Sequence, residues 1–118
     1  MTNRLKDCVD AILKLGRSEL VVIHFPEGAV ARLRNHAFVT QPALNVPPDE
    51  IQGATGAGDT FCAGILYGLY NEWELSRILE FAVCAGAQNL LDITTTGSVT
   101  DTLGVWDMKQ TFSFRAVL

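Results

Sequence analysis

Apolar residues change their spacing several times along this chain, and each change marks an element. Over residues 4–15 they recur three and four apart, so Leu5, Val9, Ile12 and Leu13 share one face of an amphipathic helix. Gly16 is positioned as its C-terminal cap. The spacing then closes to a continuous run, Leu20-Val21-Val22-Ile23, the pattern of a strand covered on both faces. Pro26, Glu27 and Gly28 turn the chain, and Ala29 to Leu33 returns as a strand. A second turn at Arg34-Asn35 leads to a third strand over Ala37-Phe38-Val39. Between Gln41 and Gly53, Pro42, Pro47 and Pro48 predict an extended or irregular link.

Helical spacing returns after a cluster of glycines. Phe61, Cys62, Ile65, Leu66 and Leu69 line a helix of about three turns, in which Gly64 and Gly68 permit close packing. Asn71 ends it. Leu75, Ile78, Leu79, Ala82, Val83 and Gly86 mark another helix, continuing through Ala87 and Leu90. Thr94 to Ser98 reads as a turn, and Thr111 to Val117 as a final strand. A helix, three short strands, an irregular link and two long helices fit part of an α/β layered fold. Only Leu20–Ile23 has the strength of a central parallel strand, and so thin a sheet leaves the helices poorly covered. Residues 1–118 are therefore expected to be a single domain or a fragment of one. Further chain, or a partner subunit in a homo-oligomer, would complete its core.

Composition narrows the functional classes. The 118 residues carry a formal charge of −4, with no Lys/Arg stripe to meet several phosphates, which argues against a nucleic-acid surface. The three cysteines, Cys8, Cys62 and Cys84, have no metal-site spacing and suggest a reducing compartment. Cys62 and Cys84 lie on helical apolar patterns and are expected to be inert core thiols. No apolar run approaches membrane-spanning length and no signal-peptide pattern opens the chain, so a cytoplasmic location is expected. His24 is expected to pack or sit at an edge, and His36 to face solvent. Trp73 and Trp106 would fill an interface or groove.

Candidate chemistry concentrates in Gly56-Ala57-Gly58-Asp59-Thr60-Phe61. Small residues let consecutive backbone N–H groups converge, and a helix beginning there adds its positive end. The result is a cradle for phosphate, or for charge developing on oxygen. A carboxylate beside such a cradle repels a stored anion, yet suits a base that takes a proton from an attacking hydroxyl. Phosphoryl transfer is the expected reaction.

The run Thr55-Gly56-Ala57-Gly58-Asp59-Thr60-Phe61, followed by Ala63-Gly64 and an apolar helix, resembles the C-terminal part of the ribokinase-like (pfkB-type) carbohydrate kinases. The likeness extends from Leu20 to Gly97. It implies a partial ribokinase-like, Rossmann-like three-layer α/β fold with an incomplete sheet. It also implies transfer of the terminal phosphoryl group of ATP, with Mg2+, to a sugar or nucleoside hydroxyl. Asp59 is then the general base, and Gly56, Ala57 and Gly58 form the anion hole. Gly28, Val83 and Gly97 fall in the family's nucleotide region, and no magnesium ligand is identified. The chain departs from the family at Phe25, where a glycine is expected, at Gly53 in place of an Asp, and at Val83, where Asn is frequent. Nothing in it resembles the family's N-terminal sugar-binding half. A non-catalytic remnant, serving as a nucleotide-binding or assembly module, is the alternative reading.

Overall fold

The computed structural model describes residues 2–91 and 101–118. The chain opens with helix α1 (Thr2–Leu15), followed by strands β1 (Leu20–Phe25), β2 (Gly28–Leu33) and β3 (Phe38–Pro42). A 3-10 turn at Pro48–Glu50 precedes helices α2 (Ala57–Tyr70), α3 (Leu75–Asn89) and α4 (Thr102–Thr111). Among the described residues no helix is long and apolar enough to cross a membrane.

The strands form an antiparallel sheet in the order β1-β2-β3. Two residues, Pro26 and Glu27, join Phe25 to its partner Gly28, a connection that only antiparallel neighbours allow. At the next turn Asn35 takes a positive φ of 64°, which Asn tolerates better than most residues. β1 is therefore an edge strand of an antiparallel sheet here, not the centre of a parallel one.

Its sequence still reads correctly, because successive side chains point to opposite faces. Val21 and Val30 join Val9 and Leu13 of α1 in one core, with Ile23, Phe25 and Phe38 packed around them. Ala29 and Ala31 face the other way, into a core with Phe61, Ile65, Ile78, Leu79, Ala82 and Val83, and Leu20 and Val22 pack against it. Helices thus cover both faces, which gives three layers. On one side, Asp10 of α1 accepts from the Arg32 guanidinium at 2.7 Å and from Lys6 at 3.0 Å. Those two cations hold its carboxyl below the usual carboxylate range.

α3 is the central helix, packed by the sheet, α2 and α4, so every residue from Phe81 to Asn89 is buried. A Cβ on Gly64 would stand 2.9 Å from Ala82 Cα, and one on Gly68 would stand 2.6 Å from Ile78 Cγ1. These two glycines let α2 and α3 approach, as their spacing predicts.

The C-terminal region differs from expectation. No strand forms over Thr111–Val117; before it the chain forms α4, capped by Asp101, whose side chain accepts from Gly104 N at 2.9 Å. Val105 and Met108 of α4 close a third core with Leu44, Val46, Phe81 and Cys84. After α4 the chain is extended and makes one isolated antiparallel bridge, Leu44 to Phe114. The expected Thr94–Ser98 turn lies outside the described residues.

Candidate active site

The site is built where α3 ends beside the start of α2. Gly56 adopts φ 88° and ψ −5°, a left-handed conformation that favours glycine, and swings the chain into α2. Its carbonyl accepts the first helical bond, from Thr60 N at 2.9 Å. Asn89, fully buried at the end of α3, fastens this turn from beneath. Its amide donates to the Thr55 carbonyl at 2.9 Å. The Thr60 hydroxyl lies 3.2 Å from Asn89 Oδ1 and 2.9 Å from the Gly56 carbonyl. The preceding loop is tied to the same helix end, with Gln52 N and Gly53 N both donating to Leu90 O, at 2.7 and 3.4 Å. Gly86 allows the approach, since a Cβ there would meet Ala57 O at 3.3 Å.

A helix leaves its first backbone N–H groups without internal acceptors. Here Ala57 N–H turns back to the Ala54 carbonyl at 3.3 Å. The amides of Gly58 and Asp59 make no hydrogen bond to any described residue. Gly58 is exposed, and a Cβ on it would touch no described residue within 4 Å. The 14-residue helix behind adds a partial positive charge at this end. Asp59, next in the same turn, is exposed, and its carboxylate has neither an ion pair nor a hydrogen bond among the described residues.

Beside this turn opens a cavity of about 420 Å³. Phe25 and Pro26 wall it from the β1–β2 turn, Leu44 and Val46 from the link after β3, Val83, Gly86 and Leu90 from α3, and Ala57 and Gly58 from α2. Its size suits a small ligand, and its mostly apolar wall suits a flat heterocycle. Among the described residues, two of its lining side chains are titratable, His24 and Arg115. The His24 ring stacks on Phe61 with centroids 3.9 Å apart and planes 5° from parallel. Desolvation on that face pulls its pKa below the ordinary histidine value of 6.5.

Of the residues singled out from sequence, Ala57, Gly58 and Val83 border the cavity, and Gly56 forms the turn beneath it. Asp59 stands beside Gly58 but outside the cavity wall. Of the three residues expected to supply an anion hole, Ala57 has its amide engaged, while the amides of Gly56 and Gly58, like that of Asp59, have no hydrogen-bond partner among the described residues. Gly28 is not brought to the cavity. It is buried where β2 begins, and a Cβ on it would collide with the Gln41 carbonyl oxygen. Its glycine identity is thereby explained by strand packing. Gly97 lies outside the described residues.

Sequence reasoning missed Asn89, Thr60 and Arg115. Asn89 left one faint signal, an amide closing an otherwise apolar helix pattern. His24 was expected to pack, and it does so while also forming cavity wall.

Known proteins share this arrangement of elements. The ribokinase of Arabidopsis thaliana, solved with ribose and ATP, superposes with a TM-score of 0.79 at 21% identity, over 92% of this chain and 34% of its own. The nucleoside kinase of Burkholderia thailandensis, solved with inosine, gives 0.73 at 23% identity, over 91% and 35%. These likenesses establish a ribokinase-like fold, of which this chain is an incomplete part. In sequence, the 5-dehydro-2-deoxygluconokinase of Geobacillus kaustophilus is 30% identical over 69 residues, which are 58% of this chain and 19% of that enzyme. An uncharacterized sugar kinase of Dictyostelium discoideum is 45% identical over 49 residues, or 41% of this chain and 14% of its own. The chain thus spans less than a fifth of the curated relatives it matches and about a third of the solved structures. Residues 1–102 match the pfkB family of carbohydrate kinases, and with the ribokinase-like fold around its glycine turn the chain belongs to that family.

Proposed function

We propose that this chain is the nucleotide-binding and catalytic part of an ATP-dependent kinase acting on a sugar or nucleoside hydroxyl. The supporting observation is the first turn of α2, where amides at Gly58 and Asp59 and the Asp59 carboxylate, all without partners among the described residues, adjoin the apolar cavity. In this reading the adenosine of ATP enters the cavity along Val83, and the transferring phosphoryl group lies over the Gly58 amide. The Gly56 amide adds a further open donor beside it, and Ala57, whose amide is engaged, shapes the cradle. Asp59 takes the proton of the acceptor hydroxyl as that oxygen attacks phosphorus. The amides and the helix end stabilise charge on the equatorial oxygens.

The described residues contain no group of three or more His, Cys, Asp or Glu able to hold a metal, and Gly53 supplies no carboxylate. Magnesium, when bound with ATP, would offset the charge of the phosphates, and no described residue is assigned as its ligand. The acceptor pocket is assigned to chain beyond these 118 residues or to a partner subunit. Relatives named for ribose, inosine and a deoxygluconate support a sugar or nucleoside acceptor without choosing among them.

Gly53, Phe25 and the engaged Ala57 amide favour the second reading, a nucleotide-binding or assembly module without turnover. Magnesium-dependent ATP turnover across a panel of sugars and nucleosides separates the two. The kinase reading expects Asp59→Asn to lower kcat by roughly 10²–10⁴-fold with ATP binding retained, as loss of a general base does. Nucleotide binding without turnover in both proteins identifies the module.

A further inference from the structure

Among the described residues, Arg115 is the one permanently charged residue lining the cavity beside α2. It lies beyond residues 1–102, so the family match does not account for it. The backbone positions it firmly: Arg115 N donates to Ala43 O at 2.7 Å, Asn45 N donates to Ser113 O at 2.7 Å, and Leu44 bridges Phe114 between them. Ala43 and Leu44 are themselves cavity wall, so this ladder seats residue 115 at the cavity's edge.

The guanidinium makes no hydrogen bond or ion pair with any described residue. Glu27 borders an adjoining groove with Arg115, yet the two form no ion pair. Arg115 is exposed on the rim of an apolar cavity with no carboxylate partner among the described residues, so its charge is available to an anionic ligand there. Its planar fork also fits phosphate in two-pronged fashion.

We infer that Arg115 binds the phosphate chain of a nucleotide whose base occupies the apolar part of this cavity. The inference rests on the nucleotide reading of the cavity given above and adds a specificity residue to it. A neutral nucleoside fits the apolar wall alone. A nucleoside phosphate engages Arg115 as well as the open Gly58 amide, so Arg115 discriminates nucleotide from nucleoside.

The test is calorimetric titration of the whole chain with MgATP, MgADP and adenosine, comparing wild type with Arg115→Ala, Arg115→Gln and Arg115→Lys. Arg115→Ala is expected to bind MgATP at least about tenfold more weakly, in line with loss of a charge-assisted contact, while adenosine affinity stays within about twofold. Arg115→Lys is expected to fall between, since it keeps the charge and loses the fork. Arg115→Gln keeps most of the side-chain stem, so the test survives an Arg115→Ala protein that fails to fold. Unchanged MgATP affinity in the Ala and Gln variants, or an equal loss for adenosine, overturns the assignment while leaving the cavity a nucleotide site. A wild-type chain that binds neither nucleotide nor adenosine overturns the cavity reading itself, and Arg115's role falls with it.

Discussion

Cys62 and Cys84 carry the same thiol in opposite surroundings. Cys84 is fully buried beneath α4; desolvation first, then the charge of Glu80, push its pKa up to about 12. It remains a protonated, unreactive thiol at neutral pH. Cys62 is exposed on α2, as Cys8 is on α1, contrary to the expectation of a core residue at position 62. Alkylation of the native protein near pH 8 is expected to modify Cys8 and Cys62 and to spare Cys84, read by peptide mass spectrometry. Labelling of Cys84 at the rate of the other two would contradict its burial. Asn89 makes the same point for a polar side chain. Its partners Thr60 and Thr55 lie 29 and 34 residues away, so no local pattern reveals its anchoring role. Gly56, Gly58 and Asp59, by contrast, were legible because their relationship is carried by adjacent positions.

Among the elements, the α2–α3 pair is the one whose sequence constrains geometry most tightly. Gly64 and Gly68 sit one turn apart on the face that meets Ala82 and Ile78. Gly68→Val would drive methyl groups into Ile78 and is expected to destabilise by about 1–3 kcal/mol, the usual range for overpacking. Gly58→Ala enters open space and should change stability by less than about 1 kcal/mol. Thermal or denaturant unfolding of both variants checks the contrast, and equal effects would refute it. α4 was harder to read. Leu103 is exposed, and only Val105 and Met108 are buried, so its apolar stripe is too narrow to announce a helix. What holds α4 is tertiary: Trp106 lies 5.0 Å from Phe81 and 5.9 Å from Trp73 between ring centroids, and Lys109 donates to Glu80 at 2.8 Å.

For the whole molecule, the telling feature is what the sheet leaves uncovered. β1 is packed on both faces, yet among the described residues only β2 pairs with it, and no proline or lysine guards its other edge. α2 touches β1 through the His24–Phe61 stack and leaves Leu66 62% and Tyr70 86% exposed. An unpaired edge strand and large exposed apolar side chains on a helix are features of an interior surface. The 118-residue chain in isolation is accordingly expected to self-associate. Sedimentation equilibrium should give a mass above one chain that rises with concentration, and Leu66→Lys with Tyr70→Lys should reduce it without loss of helical circular dichroism. A wild-type monomer at all concentrations would reject the expectation.

The amino-acid sequence by itself determined the order of helices and strands through Asn89, the two-faced character of β1, and the glycine turn bearing Asp59. Each of these is written in spacings of one to four residues, where backbone conformation and side-chain direction are set locally. Tertiary structure alone decided that Gly58, Val83 and Arg115 border one cavity, that Gly28 serves strand packing, and that the Ala57 amide is engaged while its neighbours stay open. Those outcomes depend on which distant surfaces pack together, and packing is a property of volumes and backbone approach that no short stretch of chain contains.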